Sequence, residues 1–363
     1  MAEKKRVLLV GSGGIGTITA LNLELSDLCA VTAVLRSNFN AVKEKGFKID
    51  AMDYGKFESW RPTELRNRIP DVEKEGLPPY DYVICTTKNT PDVPPPLIGL
   101  VTPAISPGKS VIVLIQNGIN IEQPFLSKFP ENVVLSGISR MGANEPESGF
   151  IVQDDPDRLG VAAFHNPNLP EEVQRKAAED FVKLYLAAGK AQCEYDPNVQ
   201  YARWRKLIYN CVWNPICALT DCDTGRLRIM TQNPNYTQSD PFALLVHPAM
   251  EEVIATAAST GVTLERDLIG IISESEPVET FAAPSMLQDA RKGRFTEVEN
   301  ILGEVLRTAE KNKVSVPTIR VMYGLLKAKQ WKAMEAWGMV DAKEEAKKRE
   351  DARKAVGVEE TRW

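Results

Sequence analysis

Histidine is nearly missing from this chain: His165 and His247 are the only two among 363 residues. They stand far apart with no cysteine array beside them, which argues against a zinc site. Their scarcity also leaves few candidates for the side chain that most often moves protons near neutral pH. The six cysteines (29, 85, 193, 211, 217 and 222) form no Cys-x-x-Cys pair. Several lie in apolar runs, so they read as reduced core residues of a cytoplasmic protein. No apolar run approaches the roughly 20 residues needed to cross a bilayer, and no membrane partner is expected. A net charge of −5 argues against a general nucleic-acid binder, though not against a local basic pocket. The first strand-like run starts at Arg6 and leaves no room for a signal or transit peptide. With 43% hydrophobic and 26% charged residues, the composition is that of a globular protein long enough for two substantial cores.

The first half carries a nucleotide-binding pattern. Arg6 to Val10 reads as a buried strand and leads into Gly11-Ser12-Gly13-Gly14-Ile15-Gly16, followed by a helical pattern to about Leu25. A lone GxGxxG is weak. Here it follows a strand, opens a helix and precedes a second strand, Ala30 to Leu35, which is the context of a dinucleotide fingerprint. Such glycines let the backbone turn tightly and approach a pyrophosphate, whose charge suits a helix N-terminus. An NAD site would place a carboxylate at the end of the second strand, but this chain has Arg36-Ser37-Asn38. A guanidinium with hydroxyl and amide neighbours suits a 2′-phosphate, so the cofactor expected is NADP(H).

Further strands are expected at Tyr82 to Thr86 and Ser110 to Ile115, ending in Thr87-Lys88-Asn89 and Gln116-Asn117-Gly118. Doubly wound sheets bind ligands at such carboxyl ends. Residues 137–160 read as two short strands around an Asn-Glu-Pro-Glu-Ser-Gly turn, 170–188 as an amphipathic helix, and 195–198 as a linker. The charged, proline-bearing stretch 53–80 reads as a surface excursion.

From Val199 the periodicity turns helical, with candidate helices at 200–220, 240–261, 264–273, 285–312 and 316–330. The fourth has Ser285 in a capping position, with Gly293 as its point of interruption. The expected organisation is a Rossmann-type doubly wound sheet over 1–198, an all-helical domain over 199–331 and a charged tail over 332–363. That tail reads as a solvated helix or disordered segment. Within the stretch WRKLIYNCVWNP, Lys206, Asn210 and Asn214 recur every four residues and form a polar stripe on an apolar helix. Such groups need partners, because unpaired buried polar groups cost a few kcal/mol each. Two readings stand: an internal hydrogen-bond network, or one wall of a ligand cleft.

These features together resemble the ketopantoate reductase (2-dehydropantoate 2-reductase) family, from about residue 6 to 330 without the 53–80 excursion. The motifs are GSGGIG at 11–16, LRSN at 35–38, TTKN at 86–89, QNGIN at 116–120, WRKLIYNCVWNPICAL at 204–219 and SMLQDARKGRFTEVENILG at 285–303. The resemblance implies a Rossmann domain plus a helical domain with the active site between them. It implies Lys206 as the general acid. It also implies that Asn210, Asn214, Ser285 and Glu297 bind or orient a 2-oxo acid, with Lys88 and Asn117 near cofactor and substrate. Glu297 is counted with Lys206 as catalytic and, with Lys88 and Asn117, as touching the cofactor. A homodimer is the candidate assembly.

The residues themselves are consistent with that chemistry. Hydride delivery to a ketone carbon builds charge on its oxygen, so a proton donor must stand there. A lysine in an apolar helix suits the task, since desolvation lowers its pKa, while Glu297 nearby would oppose the drop. Many family members have a glycine-rich, histidine-containing strand where this chain has Gln153-Asp154-Asp155-Pro156. A related reductase acting on another 2-oxo acid therefore stays open, as does a non-catalytic NADP(H) sensor.

Overall fold

The computed structural model describes residues 3–231 and 240–355. Its first strand, β1 (Lys5–Val10), alternates its side chains between two cores. Val7 and Leu9 point to one face of the sheet, Leu8 and Val10 to the other, and all four are buried. That double burial explains the unbroken apolar run, which is the mark of a central parallel strand. Helix α1 (Gly14–Leu25) returns the chain to β2 (Cys29–Val34), which pairs parallel with β1. Short α2 (Phe39–Lys45) then leads to β3 (Phe47–Ala51), β4 (Gly55–Trp60) and β5 (Glu64–Arg66).

The chain next enters β6 (Tyr82–Cys85), α3 (Leu97–Val101), β7 (Val111–Leu114) and α4 (Gln123–Lys128). Four strands follow: β8 (Val134–Ser139), β9 (Ala143–Glu147), β10 (Phe150–Gln153) and β11 (Arg158–Ala163). Helix α5 (Glu171–Leu186) and β12 (Gln192–Tyr195) complete this half. The main sheet has eight strands in the order β12-β11-β8-β7-β6-β1-β2-β5, with the β8–β11 pair antiparallel. Strand order reverses where β6 and β2 flank β1, so the crevice at their carboxyl ends receives the loops that start at Gly11, Leu35 and Thr86.

Two expectations change here. The stretch 53–80 is more than a surface excursion: β4 joins a second sheet and β5 forms the edge of the main one. Residues 137–160 hold not two strands but β9 and β10 with parts of β8 and β11. The second sheet, β4-β3-β10-β9, covers the outer face of α1. Ile18 and Leu21 of α1 pack on Phe47, Ile49 and Ile151 of that sheet, while Ala20 and Leu23 pack on the main sheet. A helix sandwiched this way is apolar all round. The strands that cover it have one wet face, and their charged residues hid them in the sequence.

The helical half begins at α6 (Val199–Thr220), followed by α7 (Thr224–Thr231), α8 (His247–Ser259), α9 (Leu268–Ser273), α10 (Ser285–Arg291), α11 (Glu304–Lys311), α12 (Pro317–Ala336) and α13 (Ala342–Ala355). Central α6 is buried by α8, α9, α10 and α12. The expected helix 285–312 is broken. Gly293 has φ +61°, a short loop follows, and a π-turn at Glu299–Gly303 precedes α11. Helix 240–261 likewise opens with a π-turn, Phe242–Val246. Ser285 is the first residue of α10 rather than its cap, since Pro284 takes that place and no side-chain cap bond forms. Helix α13 buries none of its residues, and the tail positions 356–363 lie outside the described residues. Among the described residues no helix is long and apolar enough to cross a membrane.

Candidate active site

The glycine turn is built by close approach. Gly11 has φ +107°, and a Cβ there would lie 2.6 Å from the Thr87 nitrogen, so the loops after β1 and β6 nearly touch. A Cβ on Gly16 would sit 1.9 Å from the Gly11 carbonyl oxygen, which only glycine avoids. Gly13 is different: nothing lies within 4 Å of its would-be Cβ, so its face of the turn is open. Gly14 and Ile15 start α1, whose first turn has no side-chain cap; its amides are available to an anion. The Ser12 hydroxyl turns inward and donates to the Val34 carbonyl at 3.4 Å.

At the end of β2, Arg36 is exposed. Asn38, expected as a phosphate donor beside it, is instead buried; its amide donates to the Ser12 carbonyl (2.9 Å) and to Glu145 (2.9 Å). Asn38 therefore fastens the glycine loop to β9, while the exposed Arg36 guanidinium meets no hydrogen-bond partner among the described residues.

Across the crevice the two halves meet at Glu297, which is 4% exposed. Its carboxylate accepts from the Asn89 backbone nitrogen (3.1 Å) and from the Asn117 amide (3.0 Å), with the Lys88 ammonium 3.8 Å away. The contact holds because α12 grips the chain just before it: Gln330 accepts from the Thr296 nitrogen (3.0 Å) and donates to its carbonyl (3.1 Å). Lys88 forms its closer ion pair, 2.8 Å, with Asp289 of α10. Burial raises the Asp289 pKa, with Lys88 opposing the rise. Ser285 lies one helical turn before Asp289, on the same side of α10, and is exposed.

The polar stripe of α6 runs from this crevice inward. Lys206 is half-buried, and its ammonium donates to the Ser139 carbonyl at 2.6 Å. Burial pushes its pKa down to about 8, helped by the Arg203 charge and opposed by Glu297. The Asn210 amide donates to Asn117 Oδ1, and the Asn214 amide to Asn210 Oδ1, both at 3.4 Å. Lys206 and Asn210 line a small cavity of about 10 Å³ with Gln116, Asn117, Gly118, Ile138, Arg203 and Leu207. Asn214 lies behind Asn210, 1% exposed, and is not part of that lining. The stripe is thus a wall at its outer end and an internal network at its inner end.

The structure therefore gathers Lys88, Asn117, Lys206, Asn210 and Glu297 around one crevice. Arg36 stands apart from this group, exposed just beyond the end of β2. Two participants were not singled out in the sequence, Arg203 and Asp289, while Gln116 stood in the polar cluster expected at the end of β7. Arg203 stands three residues before Lys206 and Asp289 four after Ser285, so helical spacing puts each beside a candidate on its own helix, while the loop that each one meets is not written in that spacing. Chemically, the crevice offers an amine near its titration point, a fixed carboxylate, and neutral amides suited to a small anionic ligand.

Comparison with known proteins finds matches in both halves of the chain. Residues 7–166 match the family model described as Ketopantoate reductase PanE/ApbA, and residues 198–330 match that of its C-terminal region. The chain is 36% identical to the uncharacterized protein YDL144C of Saccharomyces cerevisiae, over 92% of this chain and 96% of that one. Among solved structures, it is similar to 2-dehydropantoate 2-reductase from Methylococcus capsulatus, with a TM-score of 0.71, 27% identity, and coverage of 90% and 97% of the two chains. It shares its fold with D-mandelate dehydrogenase solved with NADH and anilino(oxo)acetate, with a TM-score of 0.74, 21% identity, and coverage of 91% and 99%. On these matches, and with its sheet, helical half and crevice arranged as described, the chain belongs to the ketopantoate reductase family.

Proposed function

We propose that this chain is an NADPH-dependent 2-oxo acid reductase that converts 2-dehydropantoate to pantoate, with Lys206 as general acid. The observation that carries the reading is the Lys206 amine on the cavity wall, held near pKa 8 within the field of Glu297. Residues 1–198 hold the cofactor, 199–331 complete the substrate site, and 332–363 form an accessory tail. The open Gly13 face and uncapped first turn of α1 fit a pyrophosphate, and the exposed Arg36 fits a 2′-phosphate. NADPH supplies hydride to the ketone carbon when bound. Lys206 passes a proton to the ketone oxygen as charge develops there. Asn117, Asn210 and Ser285 orient the oxo acid by neutral hydrogen bonds, with Asn214 supporting Asn210 from behind. Glu297 holds the Asn117 amide and keeps Lys206 protonated more often than burial alone would.

One observation favours a second reading, a reductase of another 2-oxo acid. Backbone nitrogens of Asp154 and Asp155 donate to the Gly142 carbonyl, so two acidic residues crowd the loop that follows β8 and Ser139. The D-mandelate dehydrogenase likeness shows that this fold also accompanies an aryl oxo acid analogue and NADH. A pure NADP(H) sensor ranks last, because a sensor has no use for a proton donor at the cavity.

Oxidation of NADPH, and separately NADH, with 2-dehydropantoate and a panel of other 2-oxo acids decides among these readings. Turnover at least tenfold better with another acid would replace the first reading by the second. No turnover with any acid would leave the sensor.

A further inference from the structure

Arg203 is a cation held almost entirely out of water, 4% exposed, on the helix that carries Lys206. Its Nε donates to the Ser136 hydroxyl at 2.9 Å. Its Nη1 donates to two carbonyls, those of Gln116 (3.1 Å) and Gly118 (2.8 Å). These are the residues on either side of Asn117, whose own side chain joins Glu297 to Asn210. The guanidinium also lies 4.9 Å from the centre of the Phe164 ring. The carboxylate that acts on it, Glu122, makes no hydrogen bond to it: Glu122 Oε2 and Arg203 Nη2 are both buried without a hydrogen-bond partner among the described residues.

A partly compensated buried charge is expensive, and apolar side chains often replace such groups with no loss of stability. Fastening a loop does not by itself require a full charge, so the charge calls for its own explanation. The charges of Arg203 from α6, Glu297, Arg140 from the turn after β8 and Lys88 from the loop after β6 act on the Lys206 amine. Arg203 is the buried cation among them, one helical turn away, where solvent screens its field least.

We propose that Arg203 is a positioning residue of this site: its guanidinium fork fixes the loop that presents Asn117, and its buried charge keeps the Lys206 amine ready to release a proton. This rests on the reading of Lys206 as the proton donor. It goes beyond that reading by assigning to one side chain both the geometry of the loop and the poise of the amine. Lys206 then returns to its ammonium form less tightly than burial alone would dictate, and the loop cannot drift from α6 without breaking two carbonyl contacts.

The test uses the full chain with Arg203→Met, which removes fork and charge, Arg203→Gln, neutral but still a donor, and Arg203→Lys, which keeps the charge and loses the fork. Labelling of Lys206 by acetic anhydride across pH, read by peptide mass spectrometry, reports the amine without any substrate. Both neutral variants are expected to move the labelling midpoint up by about half a pH unit or more, and Arg203→Lys to leave it near wild type. Arg203→Lys is expected to raise KM for the oxo acid about fivefold or more with NADPH affinity unchanged. A folded neutral variant, judged by circular dichroism, with an unmoved midpoint overturns the proposal, as does Arg203→Lys with a wild-type KM. Should the wild-type chain reduce no oxo acid, the reductase reading falls, and the labelling midpoints still decide the role of the charge.

Discussion

Lys206 is under opposing influences that set its use. Burial and the Arg203 charge favour the neutral amine, while Glu297 favours the ammonium, and the balance lies at about 8 against an ordinary 10.5. In the proposed role of proton donor, Lys206 works only while protonated. The rate of reduction is therefore expected to hold steady below that value and to fall as pH rises through it, checked by kcat/KM against pH. Stability runs the other way. Between about 8 and 10.5 the unfolded chain holds this proton more firmly than the native one, so this residue's contribution to stability rises with pH across that window. Lys206→Ala is expected to lower kcat by about 10²-fold or more, with NADPH affinity nearly unchanged. Near-full turnover would place the donor elsewhere. Just beyond the end of β2, Arg36→Asp brings a carboxylate where a 2′-phosphate would lie. It is expected to raise KM for NADPH about tenfold or more and to improve use of NADH; an unchanged NADPH KM would remove Arg36 from the cofactor site.

At the scale of elements, the site depends on one seam between the loop after β7 and the π-turn at Glu299–Gly303. Gly118 has φ +92°, and a Cβ there would stand 2.3 Å from the Asn300 carbonyl oxygen. The Asn300 amide in turn donates to the Asn89 carbonyl at 2.9 Å, so the same π-turn holds the loop that carries Lys88. Gly118→Ala forces strained backbone and pushes the seam apart. The expected outcome is a lower thermal midpoint and a drop of about tenfold or more in kcat/KM, with NADPH affinity retained. Equal activity would show that the seam tolerates a shift. Elements with one strong period were legible beforehand: β1, α1 and β2 from the glycine fingerprint, and α6 from its stripe. The second sheet was not. Its strands β4 and β9 expose much of their length and carry charges there, so alternation was weak. The break in 285–312 was visible at Gly293, but the π-turn was not, because no residue pattern distinguishes it from ordinary helix.

The whole molecule places its chemistry between two cores and leaves its last helix outside both. Helix α13 is capped by Asp341, whose carboxylate accepts from the Lys343 and Glu344 nitrogens, and Lys348 pairs within the helix with Glu344 and Glu345. Exposed pairs of this kind add little. Removal of residues 342–363 is expected to leave kcat/KM and thermal midpoint at the wild-type level; a marked fall in either would give the tail a role in the fold or the site. The neighbouring segment is different, since the Trp337 indole nitrogen donates to the Gly293 carbonyl at 2.8 Å and its ring packs on Phe295.

By itself the sequence determined the nucleotide-binding turn, the stripe of α6 and the change from sheet to helices near residue 199. Each is written in short-range spacing, and spacing follows from the repeat of one strand or one helix. Only the tertiary structure decided that Asn38 braces a loop rather than facing a phosphate, that Asn214 stands behind Asn210, and that Arg203 and Asp289 belong to the crevice. Most of these outcomes depend on partners that the chain brings in from far away, as Glu145 reaches Asn38 and Gln116 reaches Arg203, 107 and 87 residues apart in sequence. No local period records such a partner.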